Sequence, residues 1–257
     1  MALESDLRAS NGFLSALTAD DFELIRPHLK PADLPAGAVL VGAGETLRRA
    51  YLPHRGVISL IVNLSRGEHV QVAMIGRDSI FGVFSSLADP VALNAAVVLV
   101  PGVASTIELG LLHAAADRSA TLRALMMRHG LAIYAQIQQT AGCNATHSVE
   151  ARLARCLLQI HDLWGSGKFV LTQQAIAQMI GARRNSISQV ASALQQADVI
   201  HYSRGHVELR KIDELKTSAC ECYGLARAQY ERLLLPPSRK AARGRTAAPT
   251  SRNTPRS

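Results

Sequence analysis

The chain has 257 residues, of which 48% are hydrophobic, and a formal net charge of +8 at neutral pH. This length suits two domains of ordinary size, and no uninterrupted apolar run is long enough to span a bilayer. Six basic residues and no acidic ones lie in residues 236–257, so most of the basicity belongs to a tail rich in Pro, Ser, Thr and Arg, which we expect to be disordered.

The first residues, MALESDLRASNGF, are acidic and lack the apolar core of a secretion signal. The four cysteines are few and scattered, as is usual in a reducing compartment where disulfides are uncommon. We therefore expect a cytoplasmic protein that is not a membrane protein.

The N-terminal part of the chain predicts one short helix followed by β-structure. Residues 18–29 resemble a capped helix that begins at Thr18 or Asp20. From about Leu34 to Ile107, short apolar runs such as GVISLIVNL and HVQVAMIG alternate with Gly, Pro, Asn and Asp turns. Seven or eight short strands of this kind indicate a small antiparallel roll or barrel.

Two helices follow the predicted roll, a short one over 109–117 and a long one from Arg118 to about Ala141. On the long helix, positions at spacings of 4, 3, 4, 3 and 4 predict a seam between two copies of the chain, as in a two-stranded coiled coil. The positions with this spacing are Leu122, Met126, His129, Ile133, Gln136 and Thr140, and Ile137 is also assigned to the seam. The alternative is a helix that packs only on its own roll.

Residues 147–163 predict an amphipathic helix with Cys156 in its core, and the next forty residues are the most informative of the chain. Thr172 is a plausible N-cap for a first helix, Gly181 suits a tight turn, and Ile187, Val190, Ala191 and Leu194 give a second helix an apolar stripe. The first turn of that second helix carries polar and basic side chains that suit base edges or phosphates.

A predicted hairpin follows, with strands over 199–202 and 207–210 and a turn, Ser203-Arg204-Gly205-His206, that bears a cation. Helix, turn, helix and basic hairpin together indicate a winged helix-turn-helix that places its second helix in the DNA major groove. The alternative is an ordinary pair of packed helices with a polar outer face. The β-hairpin with its basic turn argues against this alternative, because it suits contact with phosphates.

The order of β-roll, long helix and winged helix-turn-helix resembles the Crp/Fnr family of bacterial transcription regulators. SVEARLARCLL resembles the family's first DNA-domain helix, and LTQQAIAQMIGARRNSISQVASALQQADVI resembles its helix-turn-helix. YLPHRGVISLIVNL and MIGRDSIFG resemble its roll, which is cyclic-nucleotide-binding-like. The resemblance covers about residues 15–220 and implies a homodimer that binds an inverted-repeat operator in double-stranded DNA and contacts RNA polymerase.

We expect one set of side chains to read bases and a second set to contact phosphates. The resemblance implies that Arg184 reads guanine, whereas Asn185 and Gln189 depart from the family's common Glu and Arg and leave the operator sequence open. The base-reading set is Arg184, Asn185, Ser188 and Gln189. The phosphate set is Thr172, Gln173, Gln174, Arg183, Ser186, Arg204 and His206.

No cofactor is expected. The family's cyclic-AMP-binding members carry a Gly-Glu segment followed by an arginine, but here Val83 follows Gly82 and no arginine lies between Arg77 and Arg118. Four scattered cysteines do not suit an iron–sulfur cluster, and no histidine is marked as a haem ligand. Cys220 and Cys222 are expected two apart in one helix, facing different directions, which favours two ordinary helix cysteines over the alternative of a redox or metal pair, so no metal site is predicted.

The sequence therefore predicts an α+β regulator that is not an enzyme and whose effector is unknown. The predicted parts are a roll at residues 1–117, a long dimerisation helix at 118–142, the winged helix-turn-helix at 143–220, a C-terminal helix at 221–235 and a basic tail at 236–257. Two other functions remain open. One is a small-molecule sensor that docks to protein through its C-terminal domain, and the other is a non-specific nucleic-acid binder that uses the tail.

Overall fold

The computed structural model describes residues 8–65, 68–83 and 90–234. It has an α+β fold in which an N-terminal antiparallel roll is joined by a long helix to a helical domain with a small sheet, as predicted. The strands of the roll are β1 (Lys30–Leu34), β2 (Val39–Val41), β3 (Arg49–Asn63), β4 (His69–Ile75) and β5 (Ala95–Glu108). The predicted tail lies outside the described residues.

The strands of the roll are fewer and longer than predicted in the part of the chain that the structure describes. The sheet has the order β1-β5-β3-β4, with β2 also on β5, and every pairing is antiparallel. The run GVISLIVNL, predicted as a separate short strand, is joined to the residues from Arg49 onward in the single strand β3. Gly56 bends this strand with a φ of +102°, and its pairing with β5 continues through register shifts. Gly102 lies opposite this bend, where a Cβ would overlap the carbonyl oxygen of Arg55.

The helices before and after the roll close its core, which contains side chains such as Phe13, Ile58 and Leu112. Helix α1 is Gly12–Ala16, α2 is Ala19–Ile25, α3 is Leu109–Arg118 and α4 is Ala120–Thr146. Thr18 caps α2, since its hydroxyl accepts a hydrogen bond from the backbone N–H of Asp21. The predicted N-cap at Thr18 is thus confirmed, and α3 matches the prediction within one residue.

The predicted dimer seam on α4 is wrong, because that face packs into the roll of the same chain. Leu122, Met126, His129 and Ile133 are buried with at most 6% of their surface exposed, and they belong to the roll core or contact it. Ile137 is half-buried against the same core. The alternative of a helix packed on its own roll therefore describes these residues.

A second face of α4 is exposed, and it has the heptad spacing that the first face also shows. Its members recur at spacings of 4 and 3 along the whole helix, and each is exposed. They are Ala120, Ala124, Met127, Leu131, Tyr134, Gln138, Ala141 and Ala145, which we call the outer heptad face. Met127, Leu131 and Tyr134 at its centre are 51%, 48% and 53% exposed.

The C-terminal domain begins two residues after α4. Its helices are α5 (Val149–Trp164), α6 (Gln173–Ile180), α7 (Arg184–Gln196), α8 (Ile212–Ser218) and α9 (Cys222–Leu234), and its strands are β6 (Lys168–Val170), β7 (Ile200–Ser203) and β8 (His206–Leu209). These elements enclose a second core, to which Val57, Met74 and Val100 of the roll contribute. Cys156 is buried in this core, as predicted. No described helix combines the length and apolar character that crossing a membrane requires.

Candidate nucleic-acid interface

Helices α6 and α7 form the predicted helix-turn-helix. The hydroxyl of Thr172 accepts a hydrogen bond from the N–H of Ala175 at 3.1 Å, which caps α6. Gly181 ends that helix in the left-handed region, at φ 60° and ψ 44°, where a residue without a Cβ avoids steric cost. Ile187 and Leu194 on α7 are buried against the rest of the domain. The predicted cap, turn and apolar stripe are all present.

The start of α7 presents basic and polar side chains to solvent. Arg183 occupies the N-cap position with an extended backbone and no side-chain cap bond, and Arg184 is the first helical residue. Both are exposed, as are Asn185 and Gln189, whereas Ser186 is half-buried. The unpaired N–H groups and the dipole of a helix start also favour negative charge. This end of α7 therefore suits a polyanion.

Ser188 is held within the protein rather than presented freely. Its hydroxyl has two acceptors, the side-chain oxygen of Gln173 at 3.0 Å and the backbone oxygen of Arg184 at 3.1 Å. Because a hydroxyl has one hydrogen, Ser188 can meet a base only as an acceptor while either bond persists. The contact also joins the start of α6 to α7, which fixes the spacing between the predicted phosphate and base-reading sets.

Strands β7 and β8 form the predicted wing, joined by a tight two-residue turn. Arg204 and Gly205 have φ values of 50° and 82°, the left-handed pair that a hairpin of this length favours. The N–H of Leu171 donates to the carbonyl oxygen of Gly205 at 2.7 Å, so the wing tip lies beside Thr172. Arg204 and His206 are exposed at this tip.

The structure adds two polar residues that the sequence did not single out. The hydroxyl of Tyr202 donates to the backbone oxygen of Leu171 at 3.0 Å, and the side-chain oxygen of Gln195 accepts from the backbone N–H of Tyr202 at 2.7 Å. These bonds connect the wing to both helices of the motif. Only the packed fold brings these positions together, since Leu171 and Tyr202 are 31 residues apart.

The arginines of this surface have no carboxylate partner within ion-pair distance among the residues that the structure describes. Arg183, Arg184 and Arg204 take part in none of the described salt bridges, whereas Arg210 pairs with Asp198 and Lys168 with Glu208. The predicted phosphate set therefore lies around two exposed cationic groups, the start of α7 and the wing tip. Exposed cations that are not neutralised by the protein are what a phosphate backbone recruits.

The far end of the roll lies against this surface. A cleft of about 580 Å³ separates the ends of β3 and β4 from the helix-turn-helix, and Glu68 and His69 line it together with Arg183 and Arg184. A Cβ on Gly181 would lie 3.7 Å from the methyl carbons of Val70, within ordinary contact. Beside this cleft, β4 packs against α6, and Met74 belongs to the same buried core as Met179 and Ile180.

The segment that corresponds, by the resemblance, to the cyclic-AMP-binding segment of other family members is only partly described. Residues 84–89 lie outside the described residues. Gly82 adopts a φ of +103°, and a Cβ there would lie 3.1 Å from the Cα of Ala50 and 3.2 Å from a methyl carbon of Leu47. Val83 is buried. Ala92 beyond the gap is also buried in the apolar core of the roll.

The expected geometry of the C-terminal cysteines is wrong. Cys220 and Cys222 were predicted within one helix, but α8 ends at Ser218 and α9 begins at Cys222, so Cys220 lies in the link between them. One ligand atom from each of these cysteines, from Cys143 and from His147 lies within 4.8 Å of the others. We call these four residues the Cys3His cluster. Burial, with the neighbouring thiols, raises the pKa of Cys143 to about 12.

Comparisons with known proteins agree with this architecture. A model of the Crp-like helix-turn-helix domain matches residues 151–218. FixK2 from Bradyrhizobium japonicum is 16% identical over 75% of this chain and 98% of its own, with a TM-score of 0.64. The c-di-GMP-responsive global regulator CLP of Xanthomonas campestris is 15% identical over 75% of this chain and 99% of its own, with a TM-score of 0.61.

A third structure, a CRP-family transcriptional regulator from Thermus thermophilus, is 22% identical over 73% of this chain and 96% of its own, with a TM-score of 0.59. No curated protein matches the sequence. The structures establish the fold, and the family model establishes the type of DNA-binding domain. The chain therefore carries a Crp-like helix-turn-helix domain, within a fold that it shares with solved regulators of the Crp/Fnr type.

Proposed function

We propose that the chain acts as a homodimer that recognises an inverted-repeat operator and does so without cyclic AMP. The observation that carries the proposal is the exposed, basic start of α7 beside a basic wing tip. Arg184 and Asn185 would read base edges, while Arg183 and Arg204 would hold the phosphates on either side. Ser188 and Gln189 complete the base-reading set, and Thr172, Gln173, Gln174, Ser186 and His206 complete the phosphate set.

The outer heptad face of α4 supports the dimer. Exposed Met127, Leu131 and Tyr134 give its centre an apolar character, and small alanines at both ends allow two helices to approach closely. A second copy of the same helix satisfies a heptad pattern along its full length, which a partner of irregular shape would not. A two-fold axis parallel to α4 would relate two copies of α7, as recognition of an inverted repeat requires.

Independence from cyclic AMP is supported by the chemistry of the roll. A cyclic phosphate needs a cation, and the stretch between Arg77 and Arg118 contains no arginine or lysine. Contact with RNA polymerase rests on the family resemblance alone. We leave the effector, if the roll binds one, as an unidentified small molecule.

The experiment that tests sequence reading is selection of bound duplexes from a random DNA pool, with no added ligand. We expect an inverted repeat with half-sites about one helical turn apart. Arg184→Ala should weaken binding to that repeat by roughly 1–3 kcal/mol and relax the preference at one base pair in each half-site. Arg232→Ala, an exposed arginine on α9, serves as the matched control and should leave binding unchanged.

Two outcomes of the selection would favour the other functions. Binding without enrichment, lost when residues 236–257 are deleted, would assign nucleic-acid affinity to the tail. No binding to any duplex would favour a sensor that docks to protein. If Arg184→Ala weakened binding to all DNA sequences equally, the assignment of Arg184 as a base-reading residue would be wrong.

Sedimentation of the full chain tests the dimer separately from DNA binding. Leu131→Glu places a charge in the centre of the outer heptad face, and we expect the dimer to be weakened by at least about tenfold in Kd. Leu225→Glu on α9 is the matched control, because Leu225 is 49% exposed and Leu131 is 48% exposed. A dimer that survived Leu131→Glu, or a wild-type chain that sedimented as a monomer, would contradict this interface.

A further inference from the structure

The Cys3His cluster brings together side chains from two distant parts of the chain. Cys143 lies in the last turn of α4 and His147 directly follows that helix, whereas Cys220 precedes α9 and Cys222 begins it. All four candidate ligand atoms lie within 4.8 Å of one another, and the three cysteines are buried. Three thiols and one imidazole that converge in this way match a known class of closed metal site.

The spacing of the atoms agrees with a single tetrahedral ion. Zn–S bonds of about 2.3 Å and Zn–N bonds of about 2.0–2.1 Å give tetrahedral edges of about 3.8 Å between two sulfurs and about 3.6 Å between sulfur and nitrogen. Cys143 Sγ lies 3.5 Å from Cys220 Sγ, and Cys222 Sγ lies 3.6 Å from His147 Nδ1. Small side-chain rotations would therefore suffice to reach coordination geometry.

The surroundings of the cluster orient the ligands as the outer groups of metal sites do. His147 Nε2 lies 3.1 Å from the carboxylate of Glu221, so the N–H on that nitrogen can donate while Nδ1 faces Cys222. A histidine ligand held by a carboxylate on its other nitrogen is common in zinc sites. The amide nitrogen of Gln139 donates to Cys222 Sγ at 3.0 Å, which suits a thiolate.

A buried arginine next to the cluster supplies an independent argument from charge. Arg155 has 3% of its surface exposed, its Nε has no hydrogen-bond partner, and none of the described ion pairs includes it. It lies within electrostatic reach of Cys143, Cys220 and Cys222. A buried cation without an anion is costly. A divalent ion with three thiolates and a neutral imidazole carries one net negative charge, which would balance Arg155.

We propose that the Cys3His cluster binds one Zn²⁺ ion in a closed, structural site. Binding releases the three thiol protons to solvent and involves no oxidation or reduction. Four protein ligands leave no open coordination position, so the site serves structure rather than catalysis. The inference concerns the ion and does not rest on the proposed DNA operator.

The position of the site tells what the ion would hold in place. Only His147 and Ser148 separate α4 from α5, and His147 is a ligand. The ion would fix this link to the start of α9, which itself packs along α4. The angle between the long helix and the DNA-binding domain would then depend on an occupied site.

The test measures metal in the full chain purified under reducing conditions. We expect one zinc per chain by elemental mass spectrometry, and, after chelation, cobalt(II) should bind with the absorption bands of a tetrahedral thiolate complex. Cys143→Ser and Cys222→Ser should lose the metal. Cys156→Ser is the matched control, because Cys156 is a buried cysteine of the same domain outside the cluster. Far-UV circular dichroism checks that each variant is folded.

Glu221→Gln keeps the proposal testable even if the cysteine variants unfold, since Glu221 is exposed. We expect it to retain one metal per chain but to bind it about 10–100-fold more weakly. The proposal is overturned if the reduced wild-type chain takes up neither zinc nor cobalt, or if it is isolated with a Cys143–Cys220 disulfide whose reduction restores no metal binding. Equal loss of metal in Cys156→Ser would also overturn it. Each readout is made without DNA, so failure here leaves the proposed function untouched.

Discussion

Replacing His129 by glutamine is expected to change how the stability of the chain responds to acid. His129 is buried between α4 and the roll, with its Nδ1 2.9 Å from the hydroxyl of Ser79 and its ring edge-to-face on Phe13. Its Nε2 is buried without a described hydrogen-bond partner. Burial, helped by the positive charge of Arg128, lowers the pKa of His129 from 6.5 to about 3.

The sign of the effect follows from this lowered pKa. In the unfolded chain the histidine binds a proton near pH 6.5, whereas in the folded chain its pKa is about 3. The contribution of His129 to the free energy of unfolding is therefore complete above pH 6.5 and is lost as the pH falls toward 3. Each pH unit below 6.5 in that range lowers the free energy of unfolding by about 1.4 kcal/mol, so about 2 kcal/mol is lost between neutral pH and pH 5. The glutamine variant has no such proton to bind.

A nearby carboxyl group acts in the opposite direction and must be counted. Burial raises the pKa of Asp78 from 3.8 to about 6, although Tyr230 and Arg77 oppose that shift. As the pH falls, Asp78 therefore binds a proton in the folded chain at a higher pH than in the unfolded chain. This difference adds about 1.4 kcal/mol to the free energy of unfolding at pH 5. Asp78 thus offsets part of the loss from His129 in the wild-type chain, whereas His54, whose pKa burial also lowers, adds to the loss.

The assay is urea unfolding of the wild-type chain and His129→Gln at pH 7.5 and pH 5, at one fixed protein concentration. Groups present in both proteins, such as Asp78 and His54, cancel in the comparison, so we expect the difference in unfolding free energy between the two proteins to shift by about 2 kcal/mol on acidification. A constant offset at both pH values measures only the altered packing. If the two proteins kept the same difference at both pH values, His129 would not be a neutral, buried group in the folded state.

Three further substitutions test individual positions of the fold and the interface. Thr172→Ala removes the cap of α6 and should cost about 1 kcal/mol in urea unfolding, whereas Thr217→Ala, an exposed helical threonine that caps nothing, should cost less. Gly102→Ala should lower the free energy of unfolding by roughly 1–3 kcal/mol, because the added Cβ would overlap the carbonyl oxygen of Arg55. Gly110→Ala is the control, since a Cβ there has no neighbour within 4 Å, and an equal loss of stability in both variants would contradict the prediction. Arg204→Gly should raise the melting temperature, because glycine adopts the positive φ of this position without steric cost. It should also weaken DNA binding and reduce by about one the slope of the logarithm of the binding constant against the logarithm of the salt concentration. An unchanged slope would mean that the wing contacts no phosphate.

The helix-turn-helix could be predicted from the sequence because its determinants are local. Thr172, Gly181 and the stripe on α7 act within a few residues of one another, and each agrees with the fold that packing selects. The turn at Arg204 and Gly205 is local in the same way. The strands of the roll were predicted less well, because Gly56 acts as a bend within one strand when the partner strand bends opposite it.

The face of α4 that packs on the roll could not be chosen from the sequence, since α4 carries two interleaved patterns with the same spacing. One contains Leu122 and Met126, and the other contains Met127 and Leu131. Apolar character alone does not say which stripe meets the roll, and the roll contributes partners that are distant in sequence. The Cys3His cluster escaped prediction for a related reason: Cys143 and Cys220 are 77 residues apart, and the helix break before Cys222 has no proline to mark it.

The packing of β4 against α6 couples the end of the roll mechanically to the helix-turn-helix. Close-packed groups transmit displacement rather than absorb it, so a shift of β4 must be accommodated by α6. A signal therefore need not enter a pocket. A protein, a modification or a substitution that displaces the β3–β4 hairpin would act on the helix-turn-helix through these packed side chains. Substitutions in this hairpin would accordingly act on the position of the helix-turn-helix while leaving the side chains at the start of α7 unchanged.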